Sequence, residues 1–311
     1  MAKEKRVDNS EMVFKIICYL CHDKNINSTM NIKILVAHHK PGLIISNDVY
    51  LPIHVGKSLS KENLGISGDN VGDNISELNS VYCEMTGAYW GWKNLEADYV
   101  GLCHYRRYFT FKPMPLKSRL KEKYHFYKKK IRKIIDPGCH YSYQEQTVVW
   151  DCDMFRNMVL DFSDKLKSKL EKGDYDIVVP RPYIESSQNL EQHFREIGMD
   201  HIKSLKDVVS RNYPSFYPYL IKTLNSHKLY AANMFVMKWD IFENYCKLVF
   251  DVLDLQMKSM VSSCWCINPL TEGCYYRVSG YLAEVLTSAY VLKIKDDGGN
   301  ILFVNSVFLA T

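Results

Sequence analysis

The sequence predicts an α/β protein, a layered sheet flanked by helices, on three observations. Short β-rich runs alternate with longer stretches of helical spacing, the clearest runs stop at turn-forming or charged residues, and the composition suits a sizeable core. Of 311 residues, 47% are hydrophobic and 24% charged, which leaves room for one large domain or two modest ones.

Residues 31–39 (NIKILVAHH) read as the first strand, with His38, His39 and Lys40 at its carboxyl end before Pro41 and Gly42. The Asn/Asp-rich loop 69–76 offers Asp73, Asn74 or Ser76 as a cap. Residues 77–95 then have helical spacing, with Leu78, Tyr82, Met85, Tyr89 and Trp92 along one core-facing stripe. Asn79, Glu84, Thr86 and Lys93 are the polar residues to watch on that segment. Residues 99–103 form a second short strand, which stops at His104-Tyr-Arg-Arg-Tyr-Phe109. A basic insertion follows, and residues 154–170 are helical.

Residues 174–180 (DYDIVVP) make a clean strand closed by Pro180 and Pro182. The polar stretch 183–201 carries Glu185, Gln188, Glu191, His193 and Asp200. Residues 229–237 (LYAANMFVM) read as a strand interrupted by Asn233. Asn is unfavourable there, so its amide is either satisfied by backbone groups or faces a ligand, and the ligand is favoured. Residues 240–254 form an amphipathic helix. Arg277, Gly280, Tyr281 and Glu284 share one helical face, where Gly280 permits close approach of backbone or ligand. Residues 301–305 read as a last strand.

Charge excludes some classes. Forty basic against 35 acidic residues give +5, too little to indicate nucleic-acid binding. Most of the excess lies in residues 117–133 (KSRLKEKYHFYKKKIRK), where Tyr124, Phe126 and Tyr127 interleave the cations. That composition suits either an anionic membrane surface or a solvated helix. Residues 12–21 are apolar apart from Lys15, shorter than the ~20 residues of a membrane span and without a small-residue cleavage site. The expectation is a cytoplasmic protein, peripheral to the inner membrane face at most, with its ten cysteines reduced.

Cys18-Tyr-Leu-Cys21-His22 matches the pattern of c-type haem attachment. That chemistry needs export, so the structural reading prevails. Cys264 and Cys266 lack a second pair at zinc-finger spacing. No G-x-G-x-x-G follows the first strand and no G-x-x-x-x-G-K-S/T occurs, which counts against a dinucleotide oxidoreductase and a P-loop NTPase. Two arginines beyond a strand end make a fork that matches phosphate oxygens, in the place where open α/β sheets bind ligands. Arg106 and Arg107, with His104 and the flanking tyrosines, therefore point to an anionic ligand.

Four blocks carry a family resemblance: Pro52-Ile-His-Val-Gly56; Gly72-Asp-Asn-Ile-Ser76 running into Asn79, residues 82–86 and residues 89–94; Gly101 through Phe109; and residues 233–237 followed by residues 277–284. The chain resembles the bacterial glycosyltransferase family catalogued as a domain of unknown function, found in capsule, exopolysaccharide and O-antigen synthesis, some members of which are assigned as galactofuranosyltransferases. The resemblance implies a GT-A-like fold: a single Rossmann-type mixed sheet flanked by helices, with a helical insertion and C-terminal helices. The boundaries expected are an N-terminal extension over 1–30 and a domain over 31–311. Within it, 31–112 form a nucleotide-sugar half, 113–170 the basic insertion and 171–311 an acceptor half.

The resemblance further implies a UDP-sugar donor and a glycan or lipid-linked oligosaccharide acceptor. On it, His38, Lys40, Asp73 and Asn74 would hold nucleobase and ribose, and Asn233 would touch the transferred sugar. Many GT-A enzymes neutralise the departing diphosphate with a metal on an Asp-x-Asp motif. Here the corresponding strand ends in His104, Arg106 and Arg107 without a carboxylate pair, so no metal is required, although Mn²⁺ or Mg²⁺ stays open. Glu191, His193, Asp200 and Glu284 are candidates for the general base. His193 or Asp200 is favoured for that role, and Arg277 with Glu284 for positioning. The competing class is a non-catalytic module that binds a nucleotide sugar or carbohydrate.

Overall fold

The computed structural model describes residues 30–136, 142–185, 188–194, 198–261 and 275–310. Residues 31–311 pack as one unit. The Cys18/Cys21/His22 pattern and Cys264 and Cys266 lie outside the described residues.

The chain runs β1 (Ile32–His38), β2 (Tyr50–His54), α1 (Asn79–Tyr82), α2 (Met85–Asn94), β3 (Tyr99–His104), β4 (Arg107–Thr110) and α3 (Leu116–Ile135). It continues through β5 (Ser142–Tyr143), β6 (Gln146–Val149), α4 (Cys152–Gly173), β7 (Ile177–Pro180), β8 (Tyr183–Glu185), α5 (Leu190–His193), α6 (Met199–Asn212) and α7 (Tyr217–Leu224). The last elements are β9 (Lys228–Leu229), β10 (Phe235–Lys238), α8 (Trp239–Val261), α9 (Val278–Asp296) and β11 (Ile301–Leu309).

Strand β1 lies between β2 and β3, parallel to both, with Ile34 opposite Tyr50 on one side and Gly101 on the other. The far edge of β3 is shared. Residues 99–102 pair antiparallel with β10, and His104 pairs with Arg107 of β4. Strands β4, β11, β7 and β10 then pair in sequence, so β3, β4, β11, β7 and β10 close a five-strand ring. The α/β class, the mixed sheet and the flanking helices expected from the sequence stand, but the sheet is not single: five of its strands close on themselves, and β5, β8 and β9 form a second, smaller sheet. Gly101 makes the closure possible, because a Cβ there would stand 2.7 Å from the carbonyl oxygen of Phe235.

Strands covered on both faces read as continuous apolar runs. Ile34, Leu35 and Val36 of β1 and Val100, Leu102 and Cys103 of β3 are all fully buried. Helices α8 and α9 complete this core through Tyr245, Val249, Leu282 and Leu286.

Two expected elements differ. Residues 77–95 are not one helix: a short 3₁₀ turn and α1 end at Cys83, whose φ of 52° and ψ of −131° interrupt the helical path before α2. The Asn79 amide holds this break by donating to the carbonyl of Cys83 at 2.7 Å and to Thr86 Oγ1 at 3.0 Å. The run 229–237 is likewise two strands, β9 and β10, divided by a turn in which Ala232 and Asn233 both have left-handed φ.

Candidate active site

The carboxyl ends of β1, β2 and β3 open into a cleft of about 230 Å³. Ala37 and His39 line it from the end of β1, Val55 from β2 and His104 from β3. Asn79, Cys83 and Glu84 form a second wall, and Tyr276 and Arg277 a third. Parallel strands present their ends together, which makes this edge the binding edge of an α/β sheet.

Backbone strain concentrates here. Non-glycine residues at positive φ cost about 1–3 kcal/mol each and persist where the surroundings over-determine them. Among the described residues five have it, Cys83, Asp174, Ala232, Asn233 and Arg277; Cys83 and Arg277 line this cleft, and Ala232 and Asn233 bond to its lining residues His104 and Glu84. Arg277 caps α9 at a φ of 61°, tied to α1 by its backbone N–H, which donates to Ser80 at 2.8 Å.

Glu84 is the carboxylate of the cleft wall and stands at the N-terminus of α2, where a helix favours negative charge. The Asn233 amide donates to its Oε1 at 2.8 Å and to the Gly280 carbonyl at 3.1 Å. Thr287 donates to the Asn233 oxygen at 3.3 Å, and Thr287 shares a hydrogen bond with Tyr245. A fully buried chain of polar groups thus fixes Glu84. His104 Nε2 lies 3.8 Å from Glu84 and 2.7 Å from the Ala232 carbonyl. A carbonyl only accepts, so Nε2 carries the proton.

Glu284 stands behind this wall. Burial first, then the nearby Glu84 charge, pushes its carboxyl up to about 8, although the Ala232 backbone, Arg107 and Arg277 act the other way. Arg107 is drawn below the usual arginine range by burial, opposed by Glu284 and Glu84, and its Nε has no hydrogen-bond partner. His39 is lowered by burial and then by its neighbours Lys40, His104, Arg277 and Arg106. These mutual effects put His39, Lys40, His104, Arg106, Arg107 and Arg277 in one electrostatic neighbourhood. Of these, His39, His104 and Arg277 line the cleft opposite Glu84, and Lys40, Arg106 and Arg107 act on it from outside its lining. Cys83 also lines the cleft, and burial followed by Glu84 pushes its thiol up to about 12, so it is an inert lining group.

A family profile described as a domain of unknown function (DUF4422) matches residues 33–296. The chain belongs to this family. Among solved structures it is similar to the WbbM bifunctional glycosyltransferase in its apo form, with a TM-score of 0.72 and 25% identity. The match covers 90% of this chain and 46% of that one, so the chain spans about half the length of its structural relative. No curated protein matches it.

In this family member His104 and Arg277 line the cleft; Arg106, Arg107 and Glu284 do not line it but act on its groups electrostatically, and Lys40 stands over the Tyr105 ring. Other expected residues stand elsewhere. His38 is buried, its ring Nε2 without a partner, and burial draws it down to about 4. Asp73 and Asn74 do not line the cleft: they sit in a loop held to α2, where Tyr89 donates to Asp73 at 3.1 Å and Asn94 to its carbonyl at 2.8 Å. Asn233 does not line the cleft either. It is fully buried, and its amide is spent on Glu84 and Gly280.

The favoured bases are displaced as well. His193 pairs with Glu185 at 3.5 Å. Asp200 lines a separate groove between α6 and α8, and Glu191 is engaged by Lys206 at 2.9 Å. Sequence reasoning passed over Asp69, fully buried and accepting from the backbone N–H groups of Gly56 and Lys57 and from Ser76. It pins the loop after β2. An Asp before a Gly-rich turn was the available signal, and it reads equally as a loop residue. Among the described residues no group of three or more His, Cys, Asp or Glu side chains is placed to share a metal ion.

Proposed function

We propose that the cleft binds a nucleoside-diphosphate sugar, uridine-based, and that the chain transfers its sugar to a glycan or lipid-linked oligosaccharide of a bacterial surface polysaccharide. Galactofuranose is the favoured sugar and another hexose the alternative. The observation that carries this reading is Arg277 and His104 set against Glu84 in a cleft on which Arg106 and Arg107 also act, at the ligand edge of a sheet similar to that of a glycosyltransferase.

In the proposed reaction the bond from the anomeric carbon to the diphosphate oxygen breaks, and its electron pair leaves with the diphosphate. Arg106, Arg107 and His104 stabilise that developing charge, a preorganised electrostatic effect that needs no rearrangement at the moment of reaction. Glu84 takes the proton of the incoming acceptor hydroxyl as that oxygen bonds to the anomeric carbon. It replaces His193 and Asp200 in the role because it lines the cleft and they do not. Glu284, protonated at neutral pH, keeps a second negative charge away from Glu84.

Release of nucleoside diphosphate by the pure protein tests the reading. With a panel of UDP-sugars, the chain should turn over in EDTA, Arg107→Ala should lower kcat by about 10²–10³-fold as removal of an oxyanion donor does, and Glu84→Gln should lower kcat with KM nearly unchanged. Turnover lost in EDTA and restored by Mn²⁺ would transfer the task of the arginines to a metal. Tight donor binding without diphosphate release would make the chain a binding module.

A further inference from the structure

Helix α3 lies outside the site, and no residue of it is buried. It touches the domain through Phe126, whose ring is 5.8 Å from that of Tyr143 on β5. At 100° per residue, Leu120, Tyr124, Tyr127, Ile131 and Ile134 fall in one narrow stripe, its centre roughly 120° round the helix from Phe126. Each of these side chains is between 57% and 82% exposed. Twenty residues of helix carry this apolar line for about 30 Å.

Lysines border the stripe on both sides: Lys121 and Lys128 along one, Lys123 and Lys130 along the other. The sole acidic residue of α3 is Glu122, on the flank that faces away from the stripe. A second copy docked stripe to stripe would set these lysines against their equivalents, and like charges at those flanking positions oppose association. An occupant must supply negative charge on both sides of an apolar trough. A layer of anionic lipid headgroups over acyl chains does this without a matching groove, and tyrosines suit its interface.

We propose that α3 is a membrane-surface helix: it lies flat on an anionic bilayer, Leu120, Ile131 and Ile134 entering the headgroup boundary and the flanking lysines contacting lipid phosphates. No described helix is long and apolar enough to cross a membrane, so the contact is interfacial. This inference does not depend on the transferase reading.

Flotation of the full chain with extruded vesicles tests it, using phosphatidylglycerol mixed with phosphatidylcholine in one arm and phosphatidylcholine alone in the other. The chain should float with the anionic vesicles and stay behind with the neutral ones, and added salt should release it. Replacing Lys121, Lys123, Lys128 and Lys130 by Gln should weaken binding roughly fivefold per lysine. Leu120→Asp with Ile131→Asp should abolish it. Both variants change exposed side chains, and unaltered thermal melts verify that they fold. Equal binding to both vesicles, binding that survives the Asp substitutions, or no binding at all would overturn the proposal. In the last case, sedimentation equilibrium showing a dimer that the Asp substitutions dissociate would assign the stripe to a second copy, and a monomer would leave it to an acidic protein partner.

Discussion

Glu284 makes the cleft's chemistry measurable without a substrate. Its carboxyl ordinarily titrates at 4.5 and in the folded chain at about 8. Between those values the native state holds a proton that the unfolded state has released, so stability from this group falls as pH rises, by at most about 1.4 kcal/mol per pH unit. His38 acts with the opposite sign. Its folded value of about 4 against 6.5 means that the unfolded state binds the extra proton in that window, so its contribution is lost as pH falls. The two overlap up to pH 6.5, and from there to about pH 8 the slope of Glu284 is free of His38. Glu284→Gln should therefore flatten the decline of Tm over this upper window, with the variant gaining on the wild type as pH rises. Parallel profiles would mean that Glu284 is ionised in the native protein. At this scale the sequence singled out His104, Arg106, Arg107, Arg277 and Glu284, because charged residues at strand ends and on one helical face are local patterns, and of these His104 and Arg277 line the cleft. It could not rank the carboxylates. Which of them shares a cleft with Arg277 depends on contacts such as Asn233 to Glu84, 149 residues apart.

The elements show why the helical stripe over residues 77–95 was legible in outline and wrong in its path. Periodicity reports which face is apolar, and Tyr82 and Met85 are indeed buried. It does not report that Cys83 breaks the helix, since Cys has no special tendency to adopt a φ of 52°. The break is supported from α9, where Gly280 packs so closely that a Cβ would lie 3.0 Å from the Cys83 sulfur and 3.1 Å from its Cβ. The close approach that the sequence assigned to backbone or ligand belongs to this contact. Gly280→Val should cost about 1–3 kcal/mol in urea denaturation, the range for overpacking a tight interior. Adding Cys83→Ala should recover part of the loss by removing the sulfur. Additive effects of the two changes would show that the valine is accommodated elsewhere. Strong spacing marks α3, α4, α8 and α9 in the sequence, whereas Pro52 interrupts β2 and polar residues interrupt β6 and α6, which it passes over.

For the whole molecule, the closed ring is what no local pattern announced. Strands β4, β7 and β10 have four residues each, and their pairings join segments far apart in sequence, as β3 with β10 across residues 99 to 238. Closure also shapes the site. The end of β3 delivers His104, and the turn before β10 delivers the Ala232 carbonyl that receives its Nε2 proton and the Asn233 amide that holds Glu84. At Gly101 the space for a Cβ is taken by the Phe235 carbonyl at 2.7 Å and Val236 Cγ2 at 2.9 Å. Backbone cannot yield as a flexible side chain does, so Gly101→Ala should destabilise by about 1–3 kcal/mol and raise hydrogen exchange in β3 and β10 ahead of β1 and β2. Gly298→Ala is the control. It has a positive φ of 83° with open space around it, so its cost is confined to local backbone strain of roughly 1 kcal/mol, and exchange in β3 and β10 should stay as in the wild type. If Gly101→Ala melts with Gly298→Ala and leaves those amides protected, the seam accommodates a methyl group while staying closed, and Gly101 is not what closure requires.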